Sequence, residues 1–299
     1  MTGFETGGDA HDRTRRVFGE EAFTKIQNSK VCLLGLGGVG SYCLSSLVRA
    51  GVGNVLIIDG DAYDVTNINR QEFAFLSTIG ERKVDVAKAC VAEVNPQCTV
   101  KTFDELILSG NIGATVDVIE SFQPEWIIDA IDAISIKLLL AEHFVRDRDK
   151  VWCQCFSTDG NQLSKPLEVS KENVSSKENI DEKSCVSLTE KSGKNTVQVR
   201  RLGYISAMGA ANKLDPSRIQ ISSLSKTCND GLCRIMRKEA RKRNIPDFTV
   251  CYSDEQTVIQ PEQVITRDVE KKILGSVSFI PSIMGITIAA HVIRSIAQK

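Results

Sequence analysis

The feature that most limits what this chain can fold into is the glycine-rich run Gly35-Leu-Gly-Gly-Val-Gly40. It follows Val31–Gly35, an apolar stretch typical of a buried strand, and it opens Gly38–Ala50, which has the pattern of a helix. Glycines at such a turn let backbone amides approach phosphate oxygens, and the N-terminus of the helix adds partial positive charge. The run therefore predicts a phosphate-binding strand–turn–helix unit.

Strand and helix patterns alternate through the first half of the chain. Strands are predicted over Asn54–Asp59, Thr99–Phe103 and Trp126–Asp129, and helices over Lys83–Val94 and Ile134–Val145. Strands separated by helices form parallel sheets with right-handed crossovers. The apolar runs do not alternate, which fits strands covered on both faces. The sequence thus predicts an α/β fold.

A polar segment interrupts this pattern in the second half. Residues 157–195 are dominated by Ser, Lys, Glu and Asn and contain no aromatic residue, so we expect a disordered insertion. We also expect disorder over 1–12 and a single domain over 13–299. The elements predicted beyond the insertion are strands over Val197–Ser206, Arg218–Leu224 and Phe248–Tyr252 and helices over Gly231–Arg243 and Ser282–Ala297.

Composition is that of an intracellular globular protein. A net charge of −1 produces no global field for nucleic acid or membrane. The ten cysteines include no C-x-x-C pair, so we expect reduced thiols and no zinc site. The start of the chain lacks the apolar core of a secretory signal. Residues Ile273–Ile296 contain Pro281 and are predicted to form a core helix rather than a confident membrane segment. We expect a cytoplasmic location and leave association with mitochondria open.

A carboxylate and a series of polar residues follow the glycine run. Asp59 ends the second predicted strand, where Rossmann-type sites bind a ribose diol. Together with the glycine run it indicates an adenine nucleotide but leaves ATP and NAD open. The residues beyond it favour ATP, because a triphosphate needs Lys, Arg and a divalent cation. These polar residues are Asp61, Asn67, Arg70, Lys83, Asp129 and Asp132.

The chain resembles the ThiF and ubiquitin-activating-enzyme superfamily in four motifs and in their order. The motifs are G-x-G-G-x-G, D-x-D-x(5)-N-x-x-R-Q, G-x-x-K and D-x-x-D. Members of that superfamily adenylate a carboxylate. The resemblance implies a Rossmann-like, mostly parallel sheet with flanking helices and a mixed C-terminal extension of the sheet. It also implies that ATP and Mg²⁺ bind. The implied nucleotide-binding residues are Gly35, Gly37, Gly38, Val39, Gly40, Asp59, Asp61, Asn67, Arg70, Lys83 and Asp132.

The resemblance also implies a role for each polar residue. Asp59 would hold the ribose, with Asp61 beside it, and Asp132 would bind the magnesium ion or orient the reacting carboxylate. The three implied phosphate contacts are Asn67, Arg70 and Lys83.

Arginines before the first strand imply a homodimer. In the superfamily an arginine there reaches the nucleotide of the partner subunit, and Arg16 matches it by spacing, with Arg13 as the second choice. Arg16 would then act in catalysis with Arg70, Lys83 and Asp132. A solvated basic segment would explain the same arginines.

Phrases in the second half are more particular. Gly203–Thr227, Val250–Glu255 and Leu274–Gly285 resemble the branch that dehydrates threonylcarbamoyladenosine in tRNA. The resemblance implies ATP-dependent ring closure through an acyl-adenylate. One departure is Ala133, since many members carry Asn directly after the residue that matches Asp132.

A basic stripe on a predicted helix is the candidate tRNA contact. Its four residues recur at i, i+3, i+4 and i+7 beside an apolar face, which fits either phosphate binding or a solvated amphipathic helix. Lys213 and Arg218 would extend the stripe. The stripe consists of Arg234, Arg237, Lys238 and Arg241.

Three other functions stay open at the level of sequence. An activator of a ubiquitin-like or sulfur-carrier protein would use the same nucleotide motifs. An NAD-dependent oxidoreductase is supported by the glycine run alone, and an inactive scaffold is disfavoured by the retained polar residues. A thiol could carry the acyl group, although incidental thiols explain the same residues. The candidate thiols are Cys228, Cys233 and Cys251.

Overall fold

The computed structural model describes residues 9–146, 152–155, 186–189, 196–200, 202–256 and 275–298. The strands are β1 (Lys30–Leu34), β2 (Asn54–Ile58), β3 (Thr99–Phe103), β4 (Trp126–Asp129), β5 (Trp152–Cys155), β6 (Val186–Thr189), β7 (Thr196–Arg200), β8 (Gly203–Ala207), β9 (Ile219–Ser223) and β10 (Thr249–Ser253). The helices are α1 (Asp12–Phe18), α2 (Glu20–Asn28), α3 (Gly38–Arg49), α4 (Lys83–Val94), α5 (Ile112–Phe122), α6 (Ile134–Ala141), α7 (Gly231–Lys242) and α8 (Phe279–Ala297).

The main sheet has the strand order β3-β2-β1-β4-β8-β10-β9. All neighbouring pairs run parallel except β10 and β9, which are antiparallel. The strand order reverses direction between β1 and β4, and ligands of open α/β sheets bind at such a switch point. The predicted mostly parallel sheet with a mixed C-terminal extension is therefore confirmed.

Two apolar cores cover the two faces of the sheet. Alternate residues of β1 point to opposite faces, so Val31 and Leu33 pack with α3 and α8, while Cys32 and Leu34 pack with α5 and α6. All four side chains are completely buried. This two-sided burial explains why the strands read as continuous apolar runs.

Helices α3 and α8 pack closely along one face. A side chain at Gly285 of α8 would place its Cβ 2.3 Å from the Val39 carbonyl oxygen, so glycine permits the crossing. Within the described residues, α8 is the one helix long and apolar enough to cross a membrane. Its residues Ile280, Met284 and Ile288 are completely buried in the core that α3 shares. These contacts agree with the predicted core helix.

The structure differs from the predicted elements at several places. The strand predicted over Val197–Ser206 is two strands, β7 and β8, and they belong to different sheets. Helix α8 begins at Phe279, three residues earlier than predicted, because Pro281 is tolerated in the first turn, where its missing N–H needs no partner. Helices α1, α2 and α5 were not predicted from the sequence. Helix α1 begins at Asp12, inside the segment predicted to be disordered.

A second sheet has the order β5-β7-β6 with antiparallel pairs. Strand β6 falls within the insertion predicted at 157–195, so these four residues differ from the predicted disorder. The rest of that insertion, and residues 1–8, lie outside the described residues. A short Val-Ser-Leu-Thr alternation is the signal in the sequence for β6.

Candidate active site

The loops that follow β1, β2 and β4 meet at the carboxyl edge of the main sheet. The Gly35 amide donates a hydrogen bond to the Ile58 carbonyl at 2.8 Å, which joins the ends of β1 and β2. The Ala130 amide donates to the Leu34 carbonyl at 2.8 Å, which joins the ends of β4 and β1. These backbone bonds assemble the glycine run, Asp59 and the Asp129–Asp132 turn in one crevice.

The glycine run forms the tight turn into α3. Gly35 has φ +90°, a conformation that side chains disfavour, and a Cβ at Gly40 would lie 1.8 Å from the Gly35 carbonyl oxygen. Gly37 directly precedes α3, whose first backbone amides have no partner within the helix. The turn therefore presents a helix N-terminus to the crevice, where an anion is favoured.

Asp59 organises the backbone of this crevice. Its Oδ2 accepts a hydrogen bond from the Leu36 amide at 2.6 Å, and its Oδ1 accepts one from the Asp61 amide at 2.8 Å. Burial raises the pKa of the Asp59 carboxyl, and the nearby Lys83 ammonium opposes this effect. A carboxylate fixed in this way also has lone pairs left for a ribose hydroxyl.

Lys83 lies in the first turn of α4 and is 5% exposed. Its Nζ is 2.9 Å from Asp61 Oδ2, and the Asp61 side chain is 56% exposed. The Lys83 amide also donates to the Asp61 carbonyl at 3.0 Å. The two residues expected at the ribose and phosphate positions therefore form an ion pair in the crevice.

The segment between Asp59 and Lys83 carries Asn67 and Arg70. Asn67 Oδ1 accepts a hydrogen bond from the Asp64 amide at 3.2 Å, and the Arg70 guanidinium donates to the Thr66 carbonyl at 2.8 Å. A Cβ at Gly38 would lie 3.2 Å from the Arg70 carbonyl oxygen, so the Arg70 backbone passes the first turn of α3. Both residues thus lie on a segment that runs alongside the phosphate turn.

The turn that carries Asp132 lies against the glycine run. A Cβ at Gly35 would be 2.9 Å from the Ala130 carbonyl oxygen and 3.4 Å from the Ile131 nitrogen. The Asp132 side chain is exposed, and no described residue donates a hydrogen bond to it. Its carboxylate is therefore available to a ligand in the crevice.

A buried polar network beneath this turn was missed by the sequence analysis. Asp129 is completely buried and lies 3.1 Å from the Lys137 ammonium. It also accepts hydrogen bonds from Ser206 Oγ at 2.7 Å and from the Tyr204 hydroxyl at 3.2 Å. The available signal was a single lysine among the mostly apolar residues of α6.

Among the described residues, no contact within the chain joins Arg16 to the glycine run. Its side chain is 76% exposed and pairs with Asp12 at 2.8 Å. Helix α1 packs instead near the opposite end of α3, where His11 contacts Phe23 and both lie beside Gly51. Arg13 is also exposed, whereas Arg15 pairs with acidic residues of its own chain.

The basic stripe on α7 is partly exposed. Arg237 is half-buried and donates to the Thr227 carbonyl at 2.8 Å, so its guanidinium is engaged within the chain. Lys213 does not extend the stripe, because it is buried and its Nζ lies 2.7 Å from Asp230. Arg218 pairs with Asp254 at 2.9 Å and remains half-exposed. The exposed members of the stripe are Arg234, Lys238 and Arg241.

The three candidate thiols differ in environment. Cys233 and Cys251 are completely buried, and burial raises the pKa of Cys251 to about 12. Burial also raises the pKa of Cys233. A thiol held protonated is a poor nucleophile. Cys228 is exposed and lies 3.9 Å from the Tyr252 hydroxyl.

The parallel sheet, the glycine turn at its switch point and the acid at the end of β2 define a Rossmann-type nucleotide-binding protein. Residues 11–299 match the ThiF family. The chain belongs to the ThiF family.

Individual relatives agree with this assignment. The chain is 30% identical over 296 residues to the tRNA threonylcarbamoyladenosine dehydratase of Bacillus subtilis, a match that covers 96% of this chain and 94% of that protein. It is 25% identical to the Escherichia coli protein of the same name, covering 76% of this chain and 64% of the relative.

A solved structure is similar over nearly the whole chain. The structure of Escherichia coli tRNA N6-threonylcarbamoyladenosine dehydratase in complex with ATP superimposes with a TM-score of 0.69. The match covers 99% of this chain and 97% of the other at 21% identity. This similarity shows the shared fold.

Proposed function

We propose that this chain is an ATP-dependent enzyme that cyclises threonylcarbamoyladenosine in tRNA through an acyl-adenylate. The observation that carries the proposal is the meeting of the glycine turn, Asp59 and the Asp132 turn at one crevice. The Bacillus subtilis relative supports the choice of substrate, since its match extends through the second half of the chain.

ATP would lie with its phosphates at the glycine turn and its ribose at Asp59. The α3 N-terminus supplies partial positive charge, and Lys83 would exchange its partner Asp61 for a phosphate oxygen. Asn67 and Arg70 would contact the remaining phosphates from the adjoining segment. Glycine-loop residues in contact with ATP would be Gly35, Gly37, Gly38, Val39 and Gly40.

Asp132 fits the role of a magnesium ligand. Magnesium is commonly held by one or two carboxylates together with substrate phosphates, and Asp132 is exposed with no hydrogen bond from a described residue. Asp61, once released by Lys83, would face the same end of the crevice. Bound with ATP, the ion would supply charge neutralisation at the phosphates.

The chemistry needs two steps. The threonyl carboxylate of the substrate attacks the α-phosphorus of ATP, which forms the acyl-adenylate and releases pyrophosphate. A nitrogen of the carbamoyl group then attacks the activated carbonyl, and AMP leaves with the former carboxylate oxygen. Ring closure is intramolecular, and well-oriented reactions of this kind gain about 7–11 kcal/mol from proximity. The chain would therefore position the carboxylate and stabilise the phosphates, and no protein nucleophile is required.

The substrate tRNA would contact the exposed basic residues of α7. Arg234, Lys238 and Arg241 project from one face of the helix, whereas Arg237 supports the fold through Thr227. Lys and Arg side chains bind phosphates without reading sequence, so this face would hold the tRNA backbone. A tRNA substrate also supports a cytoplasmic or mitochondria-associated location.

We further propose that the enzyme is a homodimer in which Arg16 completes the site of the partner subunit. Arg16 has no described contact with the crevice of its own chain, and the neighbouring Val17 is 81% exposed. The segment beside the crevice also exposes Val65 and Leu76, at 59% and 83%. Apolar side chains exposed on both parts favour burial between two copies.

The second candidate function is activation of a ubiquitin-like or sulfur-carrier protein at its C-terminal glycine. The same crevice would serve that reaction, because both substrates present a carboxylate to ATP. The two functions differ in which acceptor makes the enzyme release pyrophosphate.

Mass spectrometry of tRNA nucleosides separates them. Purified protein, ATP and magnesium are incubated with threonylcarbamoylated tRNA, and the digested nucleosides are weighed. We expect threonylcarbamoyladenosine to lose the mass of one water, and Asp132→Ala to abolish the change. An unchanged nucleoside, with pyrophosphate release that depends on a small carrier protein, would establish the second function instead.

A further inference from the structure

The buried network around Asp129 is absent from the ATP contacts proposed above. Four side chains meet at the ends of β4 and β8, and all lie within the core. The Lys137 ammonium is 3.1 Å from Asp129 Oδ2, 3.1 Å from Ser206 Oγ and 3.4 Å from the Asp129 carbonyl oxygen. Tyr204 adds a hydroxyl to the same carboxylate.

A charge pair at this depth is costly unless its hydrogen bonds are complete. Lys137 is 1% exposed and Asp129 is completely buried. Burial lowers the pKa of Lys137, and Asp129 opposes that shift. Apolar residues could fill the same volume without the cost of removing two charged groups from water. The presence of two charges here therefore suggests a role beyond packing.

The network is connected directly to the turn that carries Asp132. Asp129 Oδ1 accepts a hydrogen bond from the Ile131 amide at 3.1 Å. Ala130 and Ile131 are in turn the residues that press against Gly35. The carboxylate of Asp129 therefore joins three parts: α6 through Lys137, β8 through Ser206 and the turn through Ile131.

We propose that Lys137 is a positioning residue, which acts with Ser206 through Asp129 to fix the Ala130–Asp132 turn against the glycine run. Both side chains lie in the core, where Lys137 is 1% exposed and Ser206 is completely buried. This inference rests on the proposed function only in naming Asp132 as the group that is positioned. A small displacement of a positioned group costs about 100-fold in rate, because the reacting atoms no longer meet at the required distance.

The first test compares two buried serines. Ser206→Ala removes one hydroxyl from the network, and Ser29→Ala removes an equally buried hydroxyl at the opposite, amino edge of the sheet, where it donates to the Ile26 carbonyl at 2.6 Å. Both variants should unfold at a lower temperature. We expect Ser206→Ala alone to lower kcat by about tenfold while KM for ATP stays within about threefold, since ATP contacts are not removed.

Hydrogen exchange of the Ile131 amide gives a readout that does not depend on activity. We expect this amide to exchange faster in Ser206→Ala and at the wild-type rate in Ser29→Ala. Equal exchange and equal kcat in the two variants would overturn the proposal. A different outcome is also informative: the wild-type protein shows no turnover, yet the Ile131 amide exchanges faster in Ser206→Ala. That result would count against the proposed function and leave the positioning role intact.

A double substitution separates positioning from charge balance. Lys137→Met leaves Asp129 buried without its cation, so this single variant is expected to be unstable. Combining it with Asp129→Asn removes both charges at nearly constant volume and should restore much of the stability. We expect the double variant to fold with kcat lowered by about 100-fold. A folded double variant with wild-type kcat would show that Lys137 only balances charge.

Discussion

At the scale of the residue, Asp59 illustrates how a binding group can cost stability. Its carboxylate is buried and holds two backbone amides, and its pKa is raised by that burial. A raised pKa in the native state means that the folded protein binds the proton more tightly than the unfolded chain does. Ionised Asp59 therefore lowers the free energy of unfolding at pH values above both pKa values.

Asp59→Asn tests this destabilisation, because the variant removes the ionisable group and its contribution to the pH dependence of stability. As pH rises from the ordinary Asp value of 3.8 through the raised native value, the wild-type protein loses stability that the variant keeps. We expect the free energy of unfolding of Asp59→Asn to improve relative to wild type over this range, measured by urea unfolding. ATP affinity should fall in the same variant. Asp117→Asn, on the exposed side of α5, is the control, and an equal pH dependence in both variants would contradict the account.

Single residues also mark what sequence reasoning could and could not predict. Asp59 and Asp132 follow strands, and parallel strands place their carboxyl ends together, so their proximity was predictable. The role of Lys137 was not, because its partner Ser206 lies 69 positions away in β8. Lys213 was predicted to extend the basic stripe on the surface. No local signal in the sequence reveals its ion pair with Asp230.

At the scale of the element, α8 packs along α3 and supports the glycine turn. Pro281 lies against Gly38, and Gly285 lies against Val39, so the first turns of α8 back the phosphate turn. The Leu274–Gly285 phrase, which ends in α8, carries a resemblance in sequence, but the contact of Gly285 with α3 depends on tertiary packing.

Gly285→Ala is predicted to damage both stability and binding. The new Cβ would meet the Val39 carbonyl oxygen at 2.3 Å and the Cys43 nitrogen at 2.9 Å, so α8 must shift. We expect a loss of about 1–3 kcal/mol in the free energy of unfolding. ATP affinity, measured by calorimetry, should fall as well because the glycine turn moves.

Gly113→Ala is the matched control for this change. Gly113 is also a helical glycine, and nothing lies within 4 Å of its added Cβ. Alanine should stabilise that helix by about 0.5–1 kcal/mol and leave ATP affinity unchanged. If both variants behave alike, the close crossing at Gly285 is not what supports the phosphate turn.

Helix α7 carries the prediction for tRNA. Replacing Arg234, Lys238 and Arg241 by alanine should weaken tRNA binding and lower the slope of log affinity against log salt by about 2–3, because each phosphate contact contributes about 0.7–0.9. Filter binding over a salt series measures the slope. Lys88→Ala, at an exposed position of α4, should leave it unchanged. An unaltered slope in the triple variant would identify α7 as a solvated face.

At the scale of the whole molecule, one chain supplies a nucleotide crevice. Among the described residues, no arginine of α1 contacts the crevice of its own chain. The mostly parallel sheet and its switch point were predictable from alternating patterns, and they locate the crevice. What a second copy adds was implied only by resemblance, since α1 packs near the far end of α3. The quaternary arrangement therefore needs its own test.

Mixing two inactive variants tests the homodimer. Co-expressed Arg16→Ala and Asp132→Ala chains should regain about a quarter of wild-type activity, because half of the randomly formed dimers are hybrids with one complete site each. AMP release measures this activity. Arg13→Ala is the control for Arg16→Ala. We expect the Arg13→Ala protein to be active by itself, without a second variant chain. No recovery in the Arg16 mixture would exclude completion of the site across subunits.

In the proposed mechanism, a substrate carboxylate attacks the α-phosphorus of ATP in this crevice. The most direct measurement is to follow oxygen from the carboxylate, using threonylcarbamoylated tRNA whose threonyl carboxylate carries heavy oxygen. We expect each released AMP to contain one heavy oxygen, because the bridging oxygen of the acyl-adenylate leaves with AMP. Unlabelled AMP, or ADP with phosphate as the products, would contradict it.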